Sequence, residues 1–118
     1  MSASDGFLAL LQDLLSDLGT VSARRMFSGA GVYIDGVIFA LVIDDVLYLK
    51  TDDDSRAAFE AEGLEPFSFV KQGKLISTSY WRAPELLLDD RAEMQRWAAR
   101  ALRAARNPGA PRARKKKG

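Results

Sequence analysis

The chain has no cysteine and no histidine among its 118 residues. Those two absences together exclude disulfide frameworks, thiolate nucleophiles, imidazole general bases and the usual Cys/His zinc sites. Proline is scarce, with four in the whole sequence, so little of it resists regular structure. The longest apolar run, Val37 to Ile43, is far short of the roughly 20 residues that a membrane-spanning helix needs. Met1 to Leu11 has neither a Lys/Arg-rich lead nor a small-residue cleavage site. A secretory signal is therefore not expected, and the chain reads as cytoplasmic, with no membrane role. What is present, 47% hydrophobic and 28% charged residues, is the composition of a globular domain with one core.

A net charge of +1 conceals an asymmetry. Residues 1–90 carry 7 Lys/Arg against 15 Asp/Glu, a net −8, and residues 91–118 carry 10 against 1, a net +9. A basic end of this kind is a solvated helix face and solubilising tail, or a surface that neutralises phosphates without reading sequence. The candidates for nucleic-acid contact are Arg112, Arg114, Lys115, Lys116 and Lys117.

Phe7, Leu8, Leu10, Leu11, Leu14, Leu15 and Leu18 recur at helical spacing, with Ser4 or Asp5 to cap the start and Gly19 beyond the end. Strand patterns follow. Ala23 to Phe27 and Gly31 to Asp35 are extended, with Ser28, Gly29 and Ala30 as a reversal or bulge between them. Asp35-Gly36 signals a hairpin into Val37–Ile43, a central strand expected to be covered on both faces along at least part of its length. Asp44-Asp45 turns the chain into Val46–Lys50, which puts Leu47 and Leu49 opposite Val46, Tyr48 and Lys50. Asp52, Asp53 and Asp54 open a short helix that stops at Gly63; as contiguous residues they lack the alternate spacing of a calcium loop. Phe67–Lys71 and Lys74–Arg82 form a second hairpin about Gln72-Gly73 and end at Ala83-Pro84. The last helix starts at Asp89 or Asp90, with Asp90 and Glu93 as a capping box, and faces the core with Met94, Trp97, Ala98, Ala101, Leu102 and Ala105. Asn107-Pro108-Gly109 breaks it.

Catalytic constellations are scarce. Gly29-Ala30-Gly31 lacks the third glycine of a dinucleotide fingerprint, and there is no phosphate-binding Gly-Lys-Ser/Thr loop. A serine nucleophile would need a lysine base, and nothing in the sequence pairs Lys50, Lys71 or Lys74 with Ser28 or Ser77. In the run Ala23 to Phe27, period-two geometry sends Arg24 and Met26 to one face and Arg25 and Phe27 to the other. One arginine therefore faces a covered side, where it needs an acid such as Glu60 or Asp35, or else the strand lies at an edge. Otherwise Arg24, Arg25 and Lys50 are a recognition spot for an anion or an acidic partner. Tyr80 and Trp81 beside Arg82 make either a stacking surface or ordinary strand contacts.

The series Arg24-Arg25-Met26-Phe27-Ser28-Gly29-Ala30-Gly31-Val32-Tyr33, Asp35-Gly36, Phe39-Ala40-Leu41 and Leu47-Tyr48-Leu49-Lys50 resembles the N-terminal domain of the TfoX/Sxy family of competence regulators. Phe59, Gly63, Pro66-Phe67 and Tyr80-Trp81-Arg82-Ala83-Pro84 extend the resemblance, which spans about Leu8 to Leu102, with Ser28 standing where a glycine is expected. It implies a two-layer α+β domain. It further implies a role beside the cAMP receptor protein at the promoters of DNA-uptake genes, and full-length members carry a second, helical domain.

The resulting expectation is an α+β domain over residues 1–106, an antiparallel sheet of five to six strands in the order α-β(3-4)-α-β(2)-α, followed by a disordered basic tail over 107–118. The expected function is a non-enzymatic regulatory module, without metal or cofactor, that acts on a protein partner in the transcription machinery. The alternative is sequence-indifferent nucleic-acid binding through the basic C-terminal helix and tail. A homodimer is compatible with both.

Overall fold

A computed structural model describes residues 3–26 and 29–106. Three helices lie on one face of a six-stranded antiparallel sheet in the order β1-β2-β3-β4-β6-β5. Among the described residues no helix is long and apolar enough to cross a membrane. The tail residues 107–118, with the five cations proposed for nucleic acid and the Asn107-Pro108-Gly109 break, lie outside the described residues, as do Phe27 and Ser28.

Helix α1 (Asp5–Leu15) begins where the Ser4 hydroxyl accepts the Phe7 N–H at 3.2 Å, and it buries Leu11, Leu14 and Leu15. A 3-10 turn, Ser16–Leu18, leads to Gly19, where a Cβ would sit 2.6 Å from the Asp35 carboxylate. The close approach of that carboxylate, which also accepts the Thr20 N–H at 2.9 Å, is what requires glycine there.

Strands β1 (Val21–Met26), β2 (Gly29–Ile34), β3 (Val37–Ile43) and β4 (Val46–Lys50) form the meander. The β2–β3 and β3–β4 turns place Asp35, Gly36, Asp44 and Asp45 all at φ between 52° and 84°. This is the two-residue turn whose twist matches the flanking strands. Gly29 and Ala30 belong to β2 itself and not to the reversal or bulge expected across Ser28–Ala30. In β3 the register slips by one at Phe39, opposite Val32 and Tyr33. This bulge turns two consecutive side chains, Phe39 and Ala40, into the core. Ile38, Leu41 and Ile43, pointing the other way, are only half-buried. The helices thus cover one face of β3, not both as its unbroken apolar run suggested.

Helix α2 (Asp53–Ala61) starts on a complete capping box: the Asp52 carboxylate accepts the Ser55 N–H at 2.8 Å, and the Ser55 hydroxyl accepts the Asp52 N–H at 3.0 Å. Asp53 pairs with Arg56 at 2.9 Å, so two of the three aspartates are engaged in opening the helix. Strands β5 (Pro66–Lys71) and β6 (Lys74–Arg82) join the sheet through β6, by Tyr48↔Arg82, Leu49↔Trp81 and Lys50↔Tyr80. At the end of this hairpin Val70 and Leu75 are 70% and 71% exposed. After Pro84 a 3-10 stretch, Glu85–Asp89, buries Leu87 ahead of α3 (Arg91–Arg106). Only half of the expected capping box forms. The Asp90 carboxylate accepts the Glu93 N–H at 3.1 Å, while the Glu93 carboxylate turns to Arg96, whose guanidinium holds it below the usual glutamate range. Met94, Trp97, Ala98, Ala101 and Leu102 face the sheet, with Trp97 edge-on to the buried Phe59 at 4.9 Å.

Candidate interaction surface

The six strands contain no aspartate or glutamate. Their charged residues are Arg24, Arg25, Lys50, Lys71, Lys74 and Arg82, all cations, in a body whose first 90 residues sum to −8. The acids sit in helices and turns, where caps and solvent hold them. The sheet face turned away from the helices is therefore apolar and cationic.

Register shows how that face is laid out. Arg24 pairs with Gly31, Gly31 with Leu41, Leu41 with Tyr48 and Tyr48 with Arg82, so one row crosses five strands with an arginine at each end. Beside it runs Met26, Gly29, Ile43 and Val46, and on the other side Tyr33 and Ile38, then Lys50 and Tyr80. Gly29 and Gly31 floor this face. A Cβ on Gly31 would meet the Met26 and Ile38 methyl groups at 2.8 Å, and one on Gly29 would lie 2.0 Å from the Val42 carbonyl oxygen.

The sheet curls around a groove of about 520 Å³ lined by Met26, Leu41, Ile43, Phe67, Phe69 and Tyr80. That volume lies in the usual range of binding clefts. Two other hollows, at the Pro84 turn and between α1 and β1, are about 60 and 170 Å³. One wall is aromatic: Tyr48 meets Phe67 edge-on at 5.3 Å, and Phe67 lies over Phe69 at 6.3 Å. Burial, with Tyr33 nearby, raises the Tyr80 phenol above its ordinary pKa, so it stays protonated.

The structure divides the three residues proposed as one recognition spot. Arg24 and Lys50 share the open face: the Arg24 guanidinium lies 5.9 Å from the Tyr33 ring centre, and the Lys50 ammonium 5.3 Å from that of Tyr80. Arg25 points to the helical side of the edge strand β1, where it donates to the Ala3 carbonyl and pairs with Asp5. Its partner is thus neither Glu60 nor Asp35; the first helix brings its own acid to the strand. Trp81 also faces the core, 6.3 Å from Phe59, and only Tyr80 and Arg82 of that trio belong to the open face.

Lys50 also meets a serine the sequence did not pair with it, donating to the Ser79 hydroxyl at 2.6 Å. Among the described residues no group of three or more acids is placed to hold a metal ion. Sequence reasoning passed over Leu41, Ile43, Phe67 and Phe69 as parts of a site. The signal that finds them is the absence of acids from the strands.

The chain matches the family model of the TfoX N-terminal domain over residues 13–105. It is 32% identical over 74 residues to the DNA transformation protein TfoX1 of Aliivibrio fischeri, covering 63% of this chain and 35% of that protein. It is 28% identical over 94 residues to Protein Sxy of Escherichia coli, covering 80% of this chain and 45% of that protein. The matched part thus spans less than half the length of these relatives.

Proposed function

The chain belongs to the TfoX N-terminal domain family, and from that premise we propose that it is a non-enzymatic regulatory module that acts by binding another protein in the service of DNA transformation. The carrying observation is the open, acid-free sheet face, a surface suited to adhesion. The link to DNA transformation is carried over from the name of a relative more than twice the length of the matched segment. The partner belongs to the transcription machinery that serves DNA-uptake genes. In a strain lacking the chain, transcripts of those genes and transformation frequency fall, and the wild-type chain restores them. Unchanged transcripts overturn the proposal.

A second reading, phosphate contact through the basic end, is favoured by the net +9 over residues 91–118, part of which lies on α3 with Arg100, Arg103 and Arg106. It requires steeply salt-dependent retention of a DNA fragment that is lost when residues 107–118 are removed.

A further inference from the structure

We propose that the open sheet face is the docking groove for an acidic, amphipathic helical segment of the partner protein. Its apolar side chains sit between Leu41, Ile43 and Phe67, and its carboxylates rest on the arginines that end the central row. This rests on the protein-binding reading above and adds the chemistry of the partner.

The lining selects side chains over nucleobases. Met26, Leu41 and Ile43 form an aliphatic wall, and opposite them the Phe67 ring is already engaged by both Tyr48 and Phe69. Leucine or phenylalanine gains from such walls, whereas a base gains most from open ring faces.

Charge complementarity selects acids. No strand contributes a carboxylate, and Arg24 and Arg82 end the row that runs through Leu41 of the groove, four interstrand steps or roughly 19 Å apart along the sheet. Period-two alternation from Phe69 and Ile76 puts Lys71 and Lys74 on the same face at the hairpin end. Arg82 pairs with Glu85 at 3.7 Å with both side chains exposed, a contact that an incoming carboxylate readily replaces. A helix of about 13 residues spans that distance and presents anchors at i, i+3 and i+7 on one side.

The test titrates the full chain with a labelled peptide of about 14 residues built from leucine and glutamate, with the leucines on one helical face. Its controls are a scrambled order, a version with lysine in place of glutamate, and oligothymidylate as competitor. The amphipathic acidic peptide is expected to bind one to one and at least about tenfold tighter than either control peptide, and the oligonucleotide should not displace it. Leu41→Glu should abolish binding. Arg24→Glu with Arg82→Glu, both at exposed positions that leave folding intact, should weaken it at least about tenfold at low salt and favour the lysine peptide instead. Equal binding of the lysine peptide, displacement by oligothymidylate, or unchanged affinity of the double variant overturns the inference. Such a failure leaves the strain phenotype and the protein-binding reading intact. Peptide binding in a chain whose deletion changes no transcript supports the groove and refutes the proposed function.

Discussion

Phe59 supplies the sharpest test of how the helical layer is held. It is 1% exposed, on the one helix built of only 9 residues, and it touches the rings of both tryptophans of the chain, Trp97 at 4.9 Å and Trp81 at 6.3 Å. Truncating Phe59→Ala uncovers on the order of 100 Å² of apolar contact, about 2.5 kcal/mol at 25 cal/mol per Å². The ring contacts add about 0.5–1.5 kcal/mol, and the cavity left behind brings the loss to about 4 kcal/mol. The same change at Phe69, which lines the open groove and is 41% exposed, should cost less than about 1.5 kcal/mol. Urea unfolding followed by both far-UV circular dichroism and tryptophan emission measures the two losses on a common scale. Because both reporters flank Phe59, the native emission of Phe59→Ala should also shift, and that of Phe69→Ala should not. A Phe59→Ala loss below about 1.5 kcal/mol with an unchanged urea slope refutes the reasoning, since it means that α2 is secured by something other than this ring.

Gly29→Ala should destabilise by about 3 kcal/mol or more, because its Cβ would meet the backbone oxygen of Val42, whereas Gly31→Ala should cost less than about 1.5 kcal/mol, because its two closest contacts are the movable ends of Met26 and Ile38; thermal melts of the two variants check the order. Arg25→Ala should cost about 1 kcal/mol, since the side chain is 52% exposed and joins Asp5 and the Ala3 carbonyl, and it should leave acidic-peptide affinity unchanged in the titration that Arg24→Glu with Arg82→Glu weakens. The Asp45 carboxylate, which accepts the Ser4 N–H at 2.7 Å, lies below its ordinary pKa of 3.8 chiefly through that hydrogen bond. A depressed carboxylate supports the fold above its unfolded pKa and loses that support as pH falls through its folded value. Exchange protection of the Ser4 amide should therefore hold at neutral pH and drop as Asp45 protonates, and Asp45→Asn should remove this pH dependence; a Ser4 amide that exchanges alike at both pH values contradicts it.

Much of this fold is written locally. Asp35-Gly36 and the glycine of Gln72-Gly73 announce their hairpins because glycine and aspartate tolerate positive φ, and the leucine period of α1 and the apolar stripe of α3 announce their core faces. What eluded the sequence depends on pairing. The bulge at Phe39 arises only when β2 and β3 are registered, and without it the run from Val37 to Ile43 reads as doubly covered. The acid beside Arg25 comes from Asp5, 20 residues upstream, once α1 is laid against β1. The groove needs β6 to join β4, which brings Tyr80 and Arg82 beside Lys50 and Tyr48. Its cations were legible as residues; their row was not.

The exposed end of the β5–β6 hairpin bears on how the molecule stays dispersed. Lys71 lies directly across from Lys74, and like charges facing each other weaken their own pair of strands by a few tenths of a kcal/mol. Next to them Val70 and Leu75 would tempt a second sheet to add on along β5, an outer strand of the sheet. A copy adding on in parallel along β5 would bring a second Lys71 and Lys74 to the same end, four ammonium groups in one short stretch. The local weakness is thus a safeguard against fibre growth, and lysine is well suited to supply it at an outer strand.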